Sequence, residues 1–209
     1  MSRRLAALLG YTYIDSGALY RIAALQVLRE HADEESDDDL RRICRSMGVC
    51  FVTENGGNRI VCNGKDVTDL IRAPEISILA SRISARKVTR SCLTELQRGM
   101  GAQGRIVLEG RDAGTVVFPY APIKFYLKAS PEERGRRRYE ELKEKGFSVA
   151  QEDVTQDIIK RDYNDSSRKH APLAAASDAL IIDSTAMTIE QVVAKMMDVI
   201  QSKTSNGEK

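Results

Sequence analysis

Apolar residues recur along this chain at two periods, and the switches between them outline its elements. Tyr13 and Ile14, then residues 106–108, 123–127 and 179–183, are short apolar runs of the kind a buried parallel strand requires. Between them the spacing lengthens to that of a helix. Residues 18–30 place Leu19, Ile22, Ala23, Leu25 and Leu28 at helical intervals, and 86–101 do the same with Val88, Cys92, Leu93 and Leu96. Helices are also predicted over 2–9, 39–47, 74–84, 154–163 and from 189 onward, the last with an apolar stripe at 189, 192, 193, 196, 197 and 200. Gly10 suits a helix stop, and Ser16 a cap for the helix after the first strand. Ser130-Pro131-Glu132-Glu133 and Thr188-Ile189-Glu190-Gln191 read as capping boxes. From Ser202 the chain reads as a frayed tail.

One stretch departs from this alternation. Val49, Phe51 and Thr53 alternate, a turn is expected over 54–58, and Ile60 and Cys62 alternate again before Asn63-Gly64. Val67 is a candidate start for a third short strand. The pattern is that of a small antiparallel meander, an insert at 47–72 in a chain otherwise alternating β and α. That alternation predicts an α/β fold with a parallel sheet and helices on both faces.

Composition mainly excludes. The 209 residues carry 32 Lys plus Arg and 30 Asp plus Glu, so the net charge of +2 gives no bulk attraction to nucleic acid or membrane. No apolar run approaches the ~18 residues of a membrane span. The 3–9 stretch is too short for a signal peptide and lacks its cleavage site. Cys44, Cys50, Cys62 and Cys92 form no CxxC, and two histidines complete a poor metal inventory; no metal site is expected, and the thiols suit a reducing compartment. The acidic run at 32–39 reads as a solvated loop.

Two strand-to-loop junctions carry the candidate chemistry. After 106–108 comes Glu109-Gly110-Arg111-Asp112-Ala113-Gly114; after Tyr13-Ile14 comes Asp15-Ser16-Gly17, with Arg21 about one helical turn on. The carboxyl ends of strands are where open α/β sheets bind ligands, and an arginine fork beside a helix N-terminus suits phosphate. An ordinary loop ion pair accounts equally well for either junction alone. Four arginines between 134 and 138 sit opposite glutamates at i,i+4, so a salt-laced surface competes with a lid over polyphosphate. Arg161, Asp165 and Arg168 share one face if the helix persists that far.

These motifs together resemble the bacterial cytidylate kinase family. The resemblance rests on IDSGALYR, DVTDLIR, EGRDAGTVVFP, SPEERGRRR, RDYNDSSR followed by APL, and IIDST, in the family's order over nearly the whole chain. It implies a P-loop kinase-type α/β core formed by 1–46 and 73–209, a lid at about 130–170, and 47–72 as the CMP-side β insert. It implies transfer of the γ-phosphoryl group of ATP, with Mg²⁺, to CMP or dCMP by a cytoplasmic monomer that binds neither nucleic acid nor membrane. Position by position, Ser81, Arg90 and Asp112 match cytosine recognition, and Ser16, Arg21 and Arg111 the acceptor phosphate site. Arg161 and Asp165 match sugar and lid contacts, and Arg168 a lid arginine near the phosphates. Arg111, Arg161 and Arg168 are thereby the catalytic candidates, and Arg134 and Arg137 the lid contacts to ATP.

No GxxxxGK[S/T] occurs in the sequence, and the family's first strand, which precedes that motif, has no counterpart either. The 209 residues alone are therefore expected to be nearly inactive, the recorded start falling downstream of a P-loop. A non-catalytic CMP-binding relative is the alternative. In the family the first strand separates the strands matching 106–109 and 123–127. A gap there is expected, against a rearranged sheet in which the two pair directly.

Overall fold

The computed structural model describes every residue except 55, 56, 145, 169, 208 and 209. It divides into two compact units, 2–113 and 114–209 with Met1. Both are built on parallel strand pairs with helices, and the first adds a small antiparallel sheet, so the fold is α/β.

In the first unit α1 (Ser2–Leu9) ends as its sequence predicts. Gly10 takes φ +65°, its N–H bonds Ala7 O at 3.2 Å, and Tyr11 N–H bonds Ala6 O at 2.9 Å, a Schellman closure. The chain turns into β1 (Thr12–Asp15), which pairs in parallel with β5 (Ile106–Glu109) in the register Thr12↔Ile106 to Asp15↔Glu109. Between them lie α2 (Ser16–Arg29), α3 (Asp37–Ser46), β2 (Val49–Glu54), β3 (Gly57–Cys62), β4 (Lys65–Asp66), α4 (Pro74–Ile83) and α5 (Lys87–Met100). The core gathers on α2, which buries Ala18, Leu19, Ile22, Ala23, Ala24, Leu25 and Val27 against Leu40, Ile43, Leu79, Ile83 and Leu93. Leu28 is left exposed. The meander is β2-β3-β4 as expected, and Ile60, Cys62 and Val67 enter the same core. Its third strand is Lys65–Asp66, ahead of Val67, because the Asn63-Gly64 turn returns the chain at once. The centre of the turn expected at 54–58 lies outside the described residues.

A single π turn, Ala113–Val117, which no periodicity announced, lies at the start of the second unit. β6 (Phe125–Lys128) pairs in parallel with β7 (Leu180–Asp183). Helices α6 (Pro131–Glu144), α7 (Gln151–Ser167) and α8 (Ile189–Gly207) complete it. α6 and α7 pack so closely that a Cβ on Gly135 would lie 2.0 Å from Thr155 Oγ1 and 3.2 Å from Thr155 Cα. α8 buries Val192, Val193 and Met196 and continues through Ser202, where a frayed tail was expected. The Thr188 box closes in both directions: Gln191 N–H donates to Thr188 Oγ1 at 3.3 Å, and Thr188 N–H to Gln191 Oε1 at 2.9 Å. The Ser130 box closes in one. Glu133 N–H donates to Ser130 Oγ at 3.1 Å, but the Glu133 carboxylate is taken by Arg136 and Arg137, and Ser130 N–H donates to Thr185 Oγ1. Among the described residues the parallel pairs are β1 with β5 and β6 with β7.

Candidate functional site

In the first unit the candidate residues collect where β1 and β5 end side by side. Asp15, opposite Glu109 in the register, is the cap of α2, and its Oδ1 accepts from Ala18 N–H at 3.0 Å. This corrects the reading of Ser16 as the cap: Asp15 still has the extended backbone a cap needs (φ −93°, ψ 100°), and Ser16 is already helical. Ser16 is buried, and Gly110 comes against it. A Cβ at 110 would stand 2.9 Å from Ser16 Cβ and 3.2 Å from Ser16 Oγ, so only glycine lets the β5 turn approach the start of α2. Arg21 folds back toward that start, with Nη1 3.8 Å from where a Gly17 Cβ would be. Unsatisfied N–H groups at a helix start and a guanidinium turned toward them make an anion-binding corner.

Beside this corner is a buried ion pair. Arg90, from α5, pairs through Nη2 with Asp112 Oδ2, and the two side chains are 8% and 5% exposed. Arg90 Nη1 also donates to Ser84 O at 3.1 Å, and its guanidinium lies 5.6 Å from the centroid of the Tyr20 ring. Ser84 is the C-cap of α4, so Arg90 satisfies a carbonyl that the helix end leaves open. Ser84 Oγ in turn donates to Ser81 O at 2.8 Å, while Ser81 itself is exposed on α4. The structure therefore joins Arg90, Asp112 and the Ser81–Ser84 turn by direct contacts, and leaves Arg111 exposed at the end of β5. Tyr13 O–H donates to Glu109 Oε1. Burial first, then the Asp15 and Glu109 charges, push its phenol well above the usual range, so it stays a donor. A cavity of about 290 Å³ in this unit, lined by Arg3, Gly10, Tyr11, Thr12, Tyr13, Phe51 and Ile60, contains none of the nominated residues.

In the second unit Arg161 and Asp165 lie on α7, but Arg168 is its extended C-cap (φ −64°, ψ 143°), which corrects the single helical face. The approach to Pro172 ends the helix, and the group reassembles through a turn. Arg168 Nη1 meets Asp165 Oδ1 at 3.2 Å, Arg168 Nε donates to Ala171 O at 2.7 Å, and Leu173 N–H donates to Asp165 O at 2.7 Å. Arg161 Nε stands 3.9 Å from Asp165 Oδ2 and is exposed. Arg134 pairs with Asp162 and donates to Ala129 O at 3.2 Å. Arg137 donates to Glu133 at 2.7 Å, Ser184 O at 2.6 Å and Met187 O at 3.2 Å. Arg136 and Arg138 hold Glu133, Glu140 and Glu141. Much of the arginine density is thus the salt-laced face, and Arg137 ties α6 to the turn after β7.

Two features escaped sequence reasoning. Lys124 is buried, its Nζ held by Pro119 O and both Asp178 oxygens at 2.9 and 2.8 Å; the bond to Lys124 holds the Asp178 carboxyl below its usual range. A lone cation in the apolar run IKFYL was the available signal. The other is that the acidic run, an exposed loop as expected, also ties down distant arginines. Ser36 caps α3, and Glu34, Glu35 and Asp37 hold Arg82 and Arg86.

With this geometry in hand, the comparisons are specific. A family model described as Cytidylate kinase matches residues 1–202. The chain is 48% identical over 203 residues to a cytidylate kinase of Geobacter sulfurreducens, covering 97% of this chain and 87% of that protein. It is 47% identical to one of Syntrophotalea carbinolica over 203 residues (97% and 86%), and 41% identical to one of Shigella sonnei over 203 residues (97% and 89%).

Proposed function

The chain belongs to the cytidylate kinase family, and from that premise we propose that it binds CMP or dCMP through the 2–113 unit and transfers the γ-phosphoryl group of ATP to that nucleotide, giving CDP or dCDP and ADP. The observation that carries this reading is the buried Arg90–Asp112 pair next to the Ser16–Gly110 contact. A buried carboxylate can accept from the exocyclic amine of cytosine, which uracil lacks; a fixed guanidinium and the Ser81 hydroxyl supply donors for the remaining base edge. Ser16, Arg21 and Arg111 hold the acceptor phosphate, and the insert at 47–72 serves the CMP side of the 1–46 and 73–209 core.

Arg161 and Asp165 make the sugar and lid contacts, Arg168 is a lid arginine near the phosphates, and Arg134 and Arg137 contact ATP from the lid at about 130–170. Phosphoryl transfer asks for positioning and neutralised oxygen charge more than for acid–base groups, which suits a site rich in arginine. Among the described residues no cluster of three His, Cys, Asp or Glu could hold a metal ion. Mg²⁺ enters as MgATP, the donor substrate, and no step is assigned to a protein-bound ion. Arg168, braced by Asp165, places positive charge for the transferring group, and Arg111 does so for the acceptor.

The test is a coupled assay of ADP formation with CMP, dCMP and UMP. CMP and dCMP are expected to exceed UMP, and Asp112→Ala to narrow the CMP-to-UMP ratio; an unchanged ratio removes Asp112 from base readout. The absent GxxxxGK[S/T] gives the donor side its own expectation. Losing a single electrostatic donor costs ~10²–10³ in rate, so the 209 residues alone should fall at least that far below a chain extended upstream through such a loop. Equal rates refute this account. The chain acts as a cytoplasmic monomer in this proposal; no described helix is long and apolar enough to cross a membrane, and a dimer in sedimentation would overturn the monomer.

A further inference from the structure

The corner between α4 and α5 holds the two residues assigned to the base, Ser81 on one helix and Arg90 on the other. On one side it is tied by Arg90 to Ser84 O and Asp112. A second set of bonds, none of them to a residue nominated for substrate, holds it elsewhere. Arg82, directly after Ser81, meets Glu34 Oε2 at 2.8 Å. Arg86, the N-cap residue of α5, donates to Glu35 Oε2 at 2.5 Å, to Glu35 O at 2.7 Å and to Asp37 Oδ1 at 2.7 Å. Arg90 N–H in turn bonds Arg86 O at 3.2 Å, so the residue held by the acids begins the helical turn that carries Arg90.

The acids are themselves fixed. Glu35 N–H donates to Asp33 Oδ1 at 2.9 Å, Asp33 N–H to Asp39 Oδ2 at 3.0 Å, and Ser36 caps α3 by accepting from Asp39 N–H at 3.3 Å. The carboxylates at the start of α3 also meet the favourable end of its dipole. An ion pair gains most when its partners are already ordered, since less side-chain entropy is then lost in forming it.

We infer that the 33–37 loop is a positioning clamp for cytosine recognition: Glu34, Glu35 and Asp37 hold Arg82 and Arg86 so that Ser81 and Arg90 keep the spacing that the base edge requires. This rests on the assignment of Ser81 and Arg90 to the base. None of the clamp residues touches substrate; each acts through the α4–α5 corner.

The experiment is calorimetric titration of the full chain with CMP and with ribose 5-phosphate, which carries the phosphate and lacks the base, well below the unfolding midpoint. Variants are Arg86→Ala, Arg82→Glu, the swapped pair Arg82→Glu with Glu34→Arg, and Arg90→Ala as a reference. Exposed pairs are individually weak, so Arg86→Ala, which removes three contacts, should weaken CMP by about 3- to 10-fold. Arg82→Glu should weaken CMP by a smaller factor, and the swap should recover most of that loss. Affinity for ribose 5-phosphate should stay within about twofold throughout, an outcome that a general loss of structure would not produce. If Arg90→Ala weakens CMP while the Arg82 and Arg86 variants do not, the clamp is wrong and the base site stands. If Arg90→Ala leaves CMP unaffected, the base assignment falls, and the clamp with it. Equal losses for both ligands also overturn the clamp.

Discussion

Deleting the Arg90–Asp112 pair one side at a time, and then altogether, should separate stability from recognition. The side chains are 8% and 5% exposed, so either single change to alanine strands its partner as a buried charge. Such a stranded charge costs about 3–5 kcal/mol. Arg90→Ala additionally frees Ser84 O, about 1 kcal/mol for a neutral acceptor. At about 2–4 °C per kcal/mol for a chain of this size, Asp112→Ala should unfold roughly 6–20 °C early and Arg90→Ala roughly 8–24 °C early. The double variant strands neither charge. It should lose less stability than Asp112→Ala alone, although independent effects would make it the worst of the three. Recognition should not follow stability: the double variant should bind CMP no better than either single one, because both groups that read the base are gone. Thermal unfolding by circular dichroism and CMP titration on the same samples decide the matter. Additive destabilisation, or a double variant that binds CMP normally, would refute the reasoning.

Gly135→Ala should destabilise the packing of α6 on α7 by at least about 1–3 kcal/mol, since its Cβ meets Thr155 down to the Cα at 3.2 Å. Hydrogen exchange should locate the loss in those two helices, and Thr155→Ala in the same chain should recover part of it. Cys50 should react first with a thiol reagent at pH 8. Buried Cys44, whose thiol burial pushes up to about 12, and buried Cys62 should react only on unfolding; equal native rates for Cys44 and Cys50 would contradict this. Asp66 is held at about 2 by the Thr68 hydroxyl and amide and by Arg59. Its folded pKa lies below the unfolded value of about 3.9, so its contribution is full above pH 4 and lost as pH falls toward 2. Asp66→Asn should flatten acid unfolding across that window, and a carboxyl titrating near 4 by NMR would count against it.

What could be read in the sequence was local. Gly10 as a stop, the meander, the Thr188 box and the parallel strands follow from spacing and from turn chemistry that neighbouring residues decide among themselves. What spacing left open or missed has a different cause. The acidic run is the exposed loop its composition suggests, but its partners, Arg82 and Arg86, lie about fifty residues away and no local pattern reports them. Helical spacing continues through Arg168 and leaves open whether the helix persists that far, while the end of α7 is settled by the turn at Ala171 and Pro172. Ser16 and Asp15 are both good caps by residue type, and only backbone conformation chooses between them. The Arg90–Asp112 contact joins α5 to the turn after β5, and no spacing rule reports it. Motif resemblance supplied those positions as a set before any geometry joined them.

Lys124 gives the second unit a built-in clock. Its ammonium is enclosed by Pro119 O and the Asp178 carboxylate, its side chain is 6% exposed, and Gly114 leaves room for its stem, with Lys124 Cδ 3.1 Å from where a Cβ would stand. An acylating reagent needs a clear approach to the amine, and here that requires Asp178 to let go. Exposed lysines such as Lys87 and Lys195 should be modified at the intrinsic rate of the reagent. Lys124 should be modified only as fast as the 170–178 stretch lifts, so its lag behind them reads out the free energy of that opening by mass spectrometry, without any substitution.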